Sequence, residues 1–126
     1  MLNVYQVVLT PSVIDGVNRL CDRSKAEAAF PQYGVYSRLM FGAKEFKAAD
    51  FMHFTKVATL DCDDVEDAFT IMNRWSPEDE AKVTRLGRLH SLSVGDIVEK
   101  DGKFFVCDNC GFKEFYISAA MMDLVN

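Results

Sequence analysis

The dipeptide Asp101-Gly102 separates Ile97–Glu99 from Lys103–Cys107, and no other pair of residues constrains the chain as much. Both positions tolerate positive φ, and a two-residue loop with that freedom matches the twist of an antiparallel hairpin. Residues 97–107 are thereby committed to two antiparallel strands. Ser93-Val94-Gly95-Asp96 reads as the turn leading into the first of them. Asp108 and Asn109, or Gly111, turn the chain again, and Phe112–Ile117 supplies a further strand.

Upstream, Asn3–Leu9 is rich in β-branched and aromatic residues and reads as a strand. Thr10, Pro11 and Ser12 form a helix entrance, with Thr10 or Ser12 as cap and Pro in the first turn. Val13, Ile14, Val17, Leu20 and Cys21 share one helical stripe, and Gly16 leaves room for close packing. This helix is expected to run through Ala26–Ala29 until Pro31 stops it. Residues 31–50 fit either a short strand at Gly34–Met40 or a loop with a short helix. Phe51–Leu60 reads as a strand. Asp61–Trp75 has the strongest helical pattern: Asp63 or Asp64 caps it, Glu66 and Asp67 oppose the dipole, and Val65, Ala68, Phe69, Met72 and Trp75 make the buried stripe. Ser76-Pro77 ends it, and Glu78–Leu89 is a polar connection with room for a short helix. Ser118–Val125 reads as an apolar tail that packs as a helical turn.

The expected architecture is a single α+β domain over residues 1–126. It has one antiparallel sheet of four or five strands and two helices packed on one face. The ten Phe residues fill a core or add an exposed aromatic surface. No apolar run reaches the length of a membrane span, and the first residues carry no basic leader. Four scattered cysteines do not make a secreted disulfide framework. The expectation is a soluble cytoplasmic protein.

Charge is concentrated. Residues 61–80 hold eight acids and one base, whereas residues 1–60 are net +2 and residues 81–126 are neutral. Such a segment repels a phosphate backbone and suits a basic protein surface. Asp61, Asp63, Asp64, Glu66, Asp67, Trp75, Glu78, Asp79 and Glu80 are the candidate partner-binding residues, supplemented by the aromatics Phe41, Phe46 and Phe51.

Chemistry is harder to place. Cys107-Asp108-Asn109-Cys110 has the spacing of a metal or redox pair, but it lies in a β-turn with no second ligand pair nearby in sequence. The cysteines read as incidental to the hairpin, with Cys107 and Cys110 as the weak metal alternative. His53 reads as a half-buried strand residue. Arg85, Arg88, His90, Ser91 and Ser93 make the alternative site: an anion pocket of a small-ligand binder or hydrolase. No catalytic residue and no cofactor is assigned.

The segment His90-Ser91-Leu92-Ser93-Val94-Gly95-Asp96, with Asp101-Gly102-Lys103 and Gly111-Phe112 after it, resembles the C-terminal signature of small uncharacterised proteins of bacteriophages and plasmids. In those proteins an [R/H]-S-x-S-V-G-D turn leads into a hairpin ending in a Gly-Phe pair, preceded by a helix like Asp64–Trp75. The likeness covers residues 55–117. It implies a setting rather than an activity: a cytoplasmic accessory product of a phage, with a host protein as partner. The function expected from residues and resemblance together is binding and modulation of that host protein; a variant is that the negative charge mimics a nucleic acid. Physically, Ser91, Ser93, Gly95 and Asp96 read as turn chemistry that locks the hairpin against the Asp64–Trp75 helix.

Overall fold

The computed structural model describes residues 1–40, 42 and 46–119. Six strands form one sheet: β1 (Leu2–Gln6), β2 (Thr55–Leu60), β3 (Val83–Arg85), β4 (Ile97–Lys100), β5 (Lys103–Asp108) and β6 (Gly111–Phe115). Their lateral order is β3-β2-β1-β4-β5-β6, and every neighbouring pair is antiparallel. Five α-helices accompany them among the described residues: α1 (Pro11–Leu20), α2 (Arg23–Ala29), α3 (Pro31–Leu39), α4 (Val65–Arg74) and α5 (Pro77–Ala81). A 3-10 helix spans Ala48–His53.

The α+β class and the single antiparallel sheet follow the expectation. The strand count, the helix count and the placement of helices do not. Ile97 and Val98 are successive residues of β4, so they point to opposite faces. Val98 joins Leu2, Val4, Leu60 and the α4 residues Ala68, Ile71 and Met72 in one cluster. Ile97 joins Tyr5, Phe104, Val106 and the α3 residues Val35 and Leu39 in another. Helices therefore cover both faces of the sheet.

Local chemistry explains each departure. Thr10 caps α1 as expected, its hydroxyl accepting from the Val13 amide at 3.2 Å. At Cys21 the backbone turns left-handed (φ 50°), and Asp22 caps a new helix by accepting from the Lys25 amide at 2.9 Å. One expected helix thus becomes α1 and α2. Pro31 closes α2 but also opens α3, where its fixed φ suits the first helical turn. That rules out the strand considered for Gly34–Met40. Gly16 has its close neighbour: a Cβ there would lie 2.3 Å from Cζ of Phe30.

Phe51 belongs to the 3-10 helix rather than to a strand, as does the half-buried His53, and β2 begins at Thr55. Between Val4↔Ala58 and Tyr5↔Lys56 the register slips by one residue, leaving Val57 as a bulge. Val57 and Ala58 consequently share one cluster, which is why the alternation in this segment is imperfect. β3, unforeseen, pairs with β2 through Thr59↔Thr84. It follows α5, which opens on a capping box between Ser76 and Asp79.

The hairpin matches its reading. Asp101 and Gly102 have φ of 50° and 83°, and Lys100 pairs with Lys103. A second two-residue turn at Asn109-Cys110 returns the chain into β6, which ends at Phe115. Most of the aromatic surface is internal. Tyr5, Phe51, Phe104 and Phe115 pack with centroids 5.0–6.3 Å apart, and Phe46 stacks edge-on to Phe115 at 4.5 Å. Phe51 is completely buried. Phe46 and Phe51 are therefore core residues, not a contact surface. Phe41 and most of the 118–125 tail lie outside the described residues.

Three glycines make a graded test. Gly95 has φ +94°, and a Cβ there would sit 2.8 Å from Cβ of Leu39 on α3. Gly102 has φ +83° in open space, and Gly87 has open space with no positive φ. Gly95→Ala is expected to lower the unfolding free energy by about 2–4 kcal/mol through strain and overlap together. Gly102→Ala should cost about 1 kcal/mol, and Gly87→Ala less than about 0.5. Urea midpoints at unchanged slope read this order, and equal losses at Gly95 and Gly102 would contradict the α3 contact.

Candidate functional site

Gln6 is the last residue of β1, the sheet's central strand, and is fully buried despite its amide. Each polar atom is engaged with the loop before β4. Oε1 accepts from the His90 amide at 3.1 Å, and Nε2 donates to the His90 carbonyl at 2.9 Å. The second Nε2 hydrogen goes to Oδ2 of Asp96 at 3.0 Å. Since the His90 amide can only donate, the orientation of the carboxamide is fixed. The side chain imitates a peptide group and holds the loop as a strand neighbour would.

Asp96 is the other half of this clasp. It is 5% exposed, and its Oδ2 also accepts from the Ser93 amide at 2.9 Å and the Ser93 hydroxyl at 3.4 Å. Among the described residues Oδ1 has no hydrogen-bond partner, yet no buried polar side-chain atom goes unsatisfied. Oδ1 therefore reaches open space. Burial pushes the carboxyl up to about 6, against the opposing pull of His90, the Ser93 amide and hydroxyl, and Gln6.

The open space is a cleft of about 330 Å³. Val7, Leu39 and Phe54 give it apolar walls, Tyr36 and Met40 stand at its rim on the α3 side, and His90, Gly95 and Asp96 close the polar end. A second groove of about 250 Å³ shares Val7, Tyr36 and His90 with it and continues along Val8, Leu9, Ile14 and Leu89. The His90 ring is half exposed. Its Nδ1 lies 2.7 Å from the Ser91 carbonyl, which fixes the proton on Nδ1, and 3.8 Å from Asp96, too far for a hydrogen bond.

The five residues of the expected anion pocket do not converge. Arg85 pairs with Glu80 at 3.1 Å and lies 5.0 Å above the Trp75 ring. Ser91 accepts from Nε1 of Trp75, and Ser93 serves Asp96. Arg88 borders the second groove with His90. What the cleft offers at its polar end is a carboxylate, which repels an anion. Of the residues expected to lock the loop against the Asp64–Trp75 helix, only Ser91 reaches it, beside a bond of 3.0 Å from Nδ2 of Asn73 to the Leu92 carbonyl; Gly95 packs on α3, and Ser93 and Asp96 bond each other and Gln6.

No family profile, curated protein or solved structure gave a significant match to this chain.

The acidic segment divides in two. Asp79 is buried beneath Arg74, which grips it with two bonds of 2.7 and 2.9 Å, and its carboxyl lies far below the usual range through Arg74 and Ser76. Asp79 is thus removed from the candidate contact surface. Asp64 caps α4, Asp63 lies 3.4 Å from the Met1 amino group, and Glu80 is held by Arg85. Trp75 is half-buried and occupied on both faces of its role, ring and N–H. Asp61, Glu66, Asp67 and Glu78 stay exposed. Beside Glu66, Phe69 is 46% exposed and borders a groove of about 170 Å³ with Cys107, Asp108, Cys110 and Phe112. Cys107 is buried with its thiol pushed up to about 11 by burial and nearby carboxylates, while Cys110 is exposed. No group of three metal-ligating side chains gathers among the described residues.

Two outcomes test this geometry. Gln6→Met keeps the volume but strands the His90 amide and carbonyl and takes one of three donors from Oδ2 of Asp96, which keeps Ser93, so a loss of roughly 2–4 kcal/mol is expected in denaturant unfolding. In Asp96→Asn the amide oxygen can replace Oδ2 and the NH₂ can take the open position. The raised carboxyl makes the folded protein bind its proton more tightly than the unfolded chain. The resulting stability is full below about pH 4 and is lost as pH rises through about 6. Wild type should therefore weaken relative to Asp96→Asn by about 1–3 kcal/mol between those limits. A flat difference would show that Asp96 is not held in this environment.

Proposed function

We propose that the protein works by binding a partner with a basic contact surface, and that the groove between α4 and the β5–β6 turn takes a lysine or arginine side chain of that partner. The observation that carries this reading is Phe69. A helix of this kind would ordinarily turn such a ring into the core, as it does Ile71 and Met72, yet Phe69 stands exposed between Glu66 and the groove. An aliphatic stem fits against Phe69 and Phe112, and its charge then meets Glu66 at the rim. The exposed acids Asp61, Asp67 and Glu78 add long-range attraction that speeds docking without deciding affinity. The resemblance of residues 55–117 to phage and plasmid proteins supplies the setting in this proposal. The partner is a host protein, and the acidic side occupies a surface that otherwise meets nucleic acid.

The experiment is affinity capture from host lysate with wild type, Phe69→Ala and Glu66→Lys as parallel baits. Phe69, expected on the buried stripe, is exposed, and both substitutions spare the Asp64 cap and the buried Ala68, Ile71 and Met72, so folding is expected to be intact by circular dichroism. A specific partner should be held by wild type, elute with rising salt, and be weakened by about 2 kcal/mol or more in Phe69→Ala. A protein retained equally by all three baits contradicts the proposal.

A further inference from the structure

We propose that the cleft above Asp96 binds a small amphiphilic amine, its ammonium group on the free Oδ1 of Asp96 and its apolar body against Tyr36, Met40 and Phe54. This site shares no residue with the α4 groove and stands whether or not a basic partner docks there. Three observations carry it. The first is an oxygen with no hydrogen-bond partner among the described residues, on a carboxylate that is otherwise nine-tenths buried. The second is charge: no Lys or Arg is found among the described residues lining this cleft, so its charged end is Asp96, with His90 beside it. The third is the rim. Met40 and Tyr36 are large side chains left 58% and 36% exposed by the fold, and both border the cleft that a ligand's body would fill. The volume of about 330 Å³ sits at the small end of ligand sites, and the groove that continues past Ile14 leaves room for a longer tail.

The chemistry selects the ligand class. An ammonium donates a charge-assisted hydrogen bond to Oδ1 in a site shielded from water, where such a bond is stronger than at a surface. A neutral alcohol of the same shape keeps the apolar contact but loses the charge. A carboxylic acid meets repulsion. Oδ2 remains with Gln6 and Ser93 throughout, so binding does not compete with the clasp.

The test is an amide NMR titration of the full chain at neutral pH with 2-phenylethylamine, 2-phenylethanol and 3-phenylpropionate. The amine is expected to shift the amides of Tyr36, Met40, Val94, Gly95 and Asp96 saturably. The alcohol should bind at least about tenfold more weakly, and the acid not at all. Asp96→Asn should retain the folded spectrum and lose the preference for amine over alcohol, whereas Tyr36→Ala should weaken both alike. Should Asp96→Asn not fold, the wild-type pH series decides. The titratable groups facing Asp96 are His90 and, from β5, Cys107. Lowering the pH through about 6 protonates Asp96 while the amine stays charged, so its affinity should fall. Equal binding of amine and alcohol, shifts confined to other residues, no saturable response to the amine, or an amine affinity constant across that pH range would each overturn the proposal.

Discussion

The carboxamide of Gln6 ties the end of β1 to the loop that leads into β4, just beyond the last paired residues, Tyr5 and Ile97. β1 ends where its side chain begins, and the loop 90–96 has no regular backbone partner on that side. With three hydrogen bonds to His90 and Asp96, Gln6 extends the β1–β4 seam past its last backbone pair by side-chain chemistry. Each bond adds on the order of 1 kcal/mol net, but any one left unmade in this buried place would cost more. The same clasp orients Asp96 so that one oxygen is spent on structure and the other faces the cleft. Stability and the proposed binding site thus depend on a single arrangement.

Around that joint the two faces of the sheet are specialised. On one side α4 covers Leu2, Val4, Leu60 and Val98, and its outward face carries Glu66, Asp67 and Phe69. On the other, α3 and the 3-10 helix cover an aromatic cluster centred on Phe51, and their rim forms the cleft. Arg38 and Asp50 tie α3 to the 3-10 helix with two bonds of 2.7 and 2.8 Å. The Arg74–Asp79 pair does the same for α4 and α5. Both pairs are bidentate and partly shielded, a geometry in which an ion pair fixes direction as well as adding energy.

Much of the C-terminal half was legible because its signals are local. Asp101-Gly102 dictates the hairpin, Asp64 the start of α4, and Ser76-Pro77 its end. The N-terminal half misled where one residue type serves two purposes. Pro31 is a stop for α2 and a start for α3, and only the stop was read. The apolar run at Phe51–Leu60 hides a change from 3-10 helix to strand, since the helix buries Phe51 just as the strand buries Val57 and Leu60. Ser93 and Asp96 were legible as turn chemistry, but the partner of Asp96 was not, because it lies ninety residues away. The available sign was a glutamine inside the apolar run Asn3–Leu9: a polar side chain on a central strand needs a buried partner. The anion pocket failed for the opposite reason. Adjacency in sequence grouped Arg85, Ser91 and Ser93, whereas Trp75, Glu80 and Asp96 claim them in space.

Native-state hydrogen exchange at the His90 and Ser93 amides tests the clasp most directly. Both donate to side chains, to Gln6 and Asp96, in a loop without strand pairing there. If the clasp is the joint described, these two amides exchange only through global unfolding, with the same free energy as the β1 and β4 core amides. Exchange through a low-energy local opening, with β1 and β4 still protected, would contradict it.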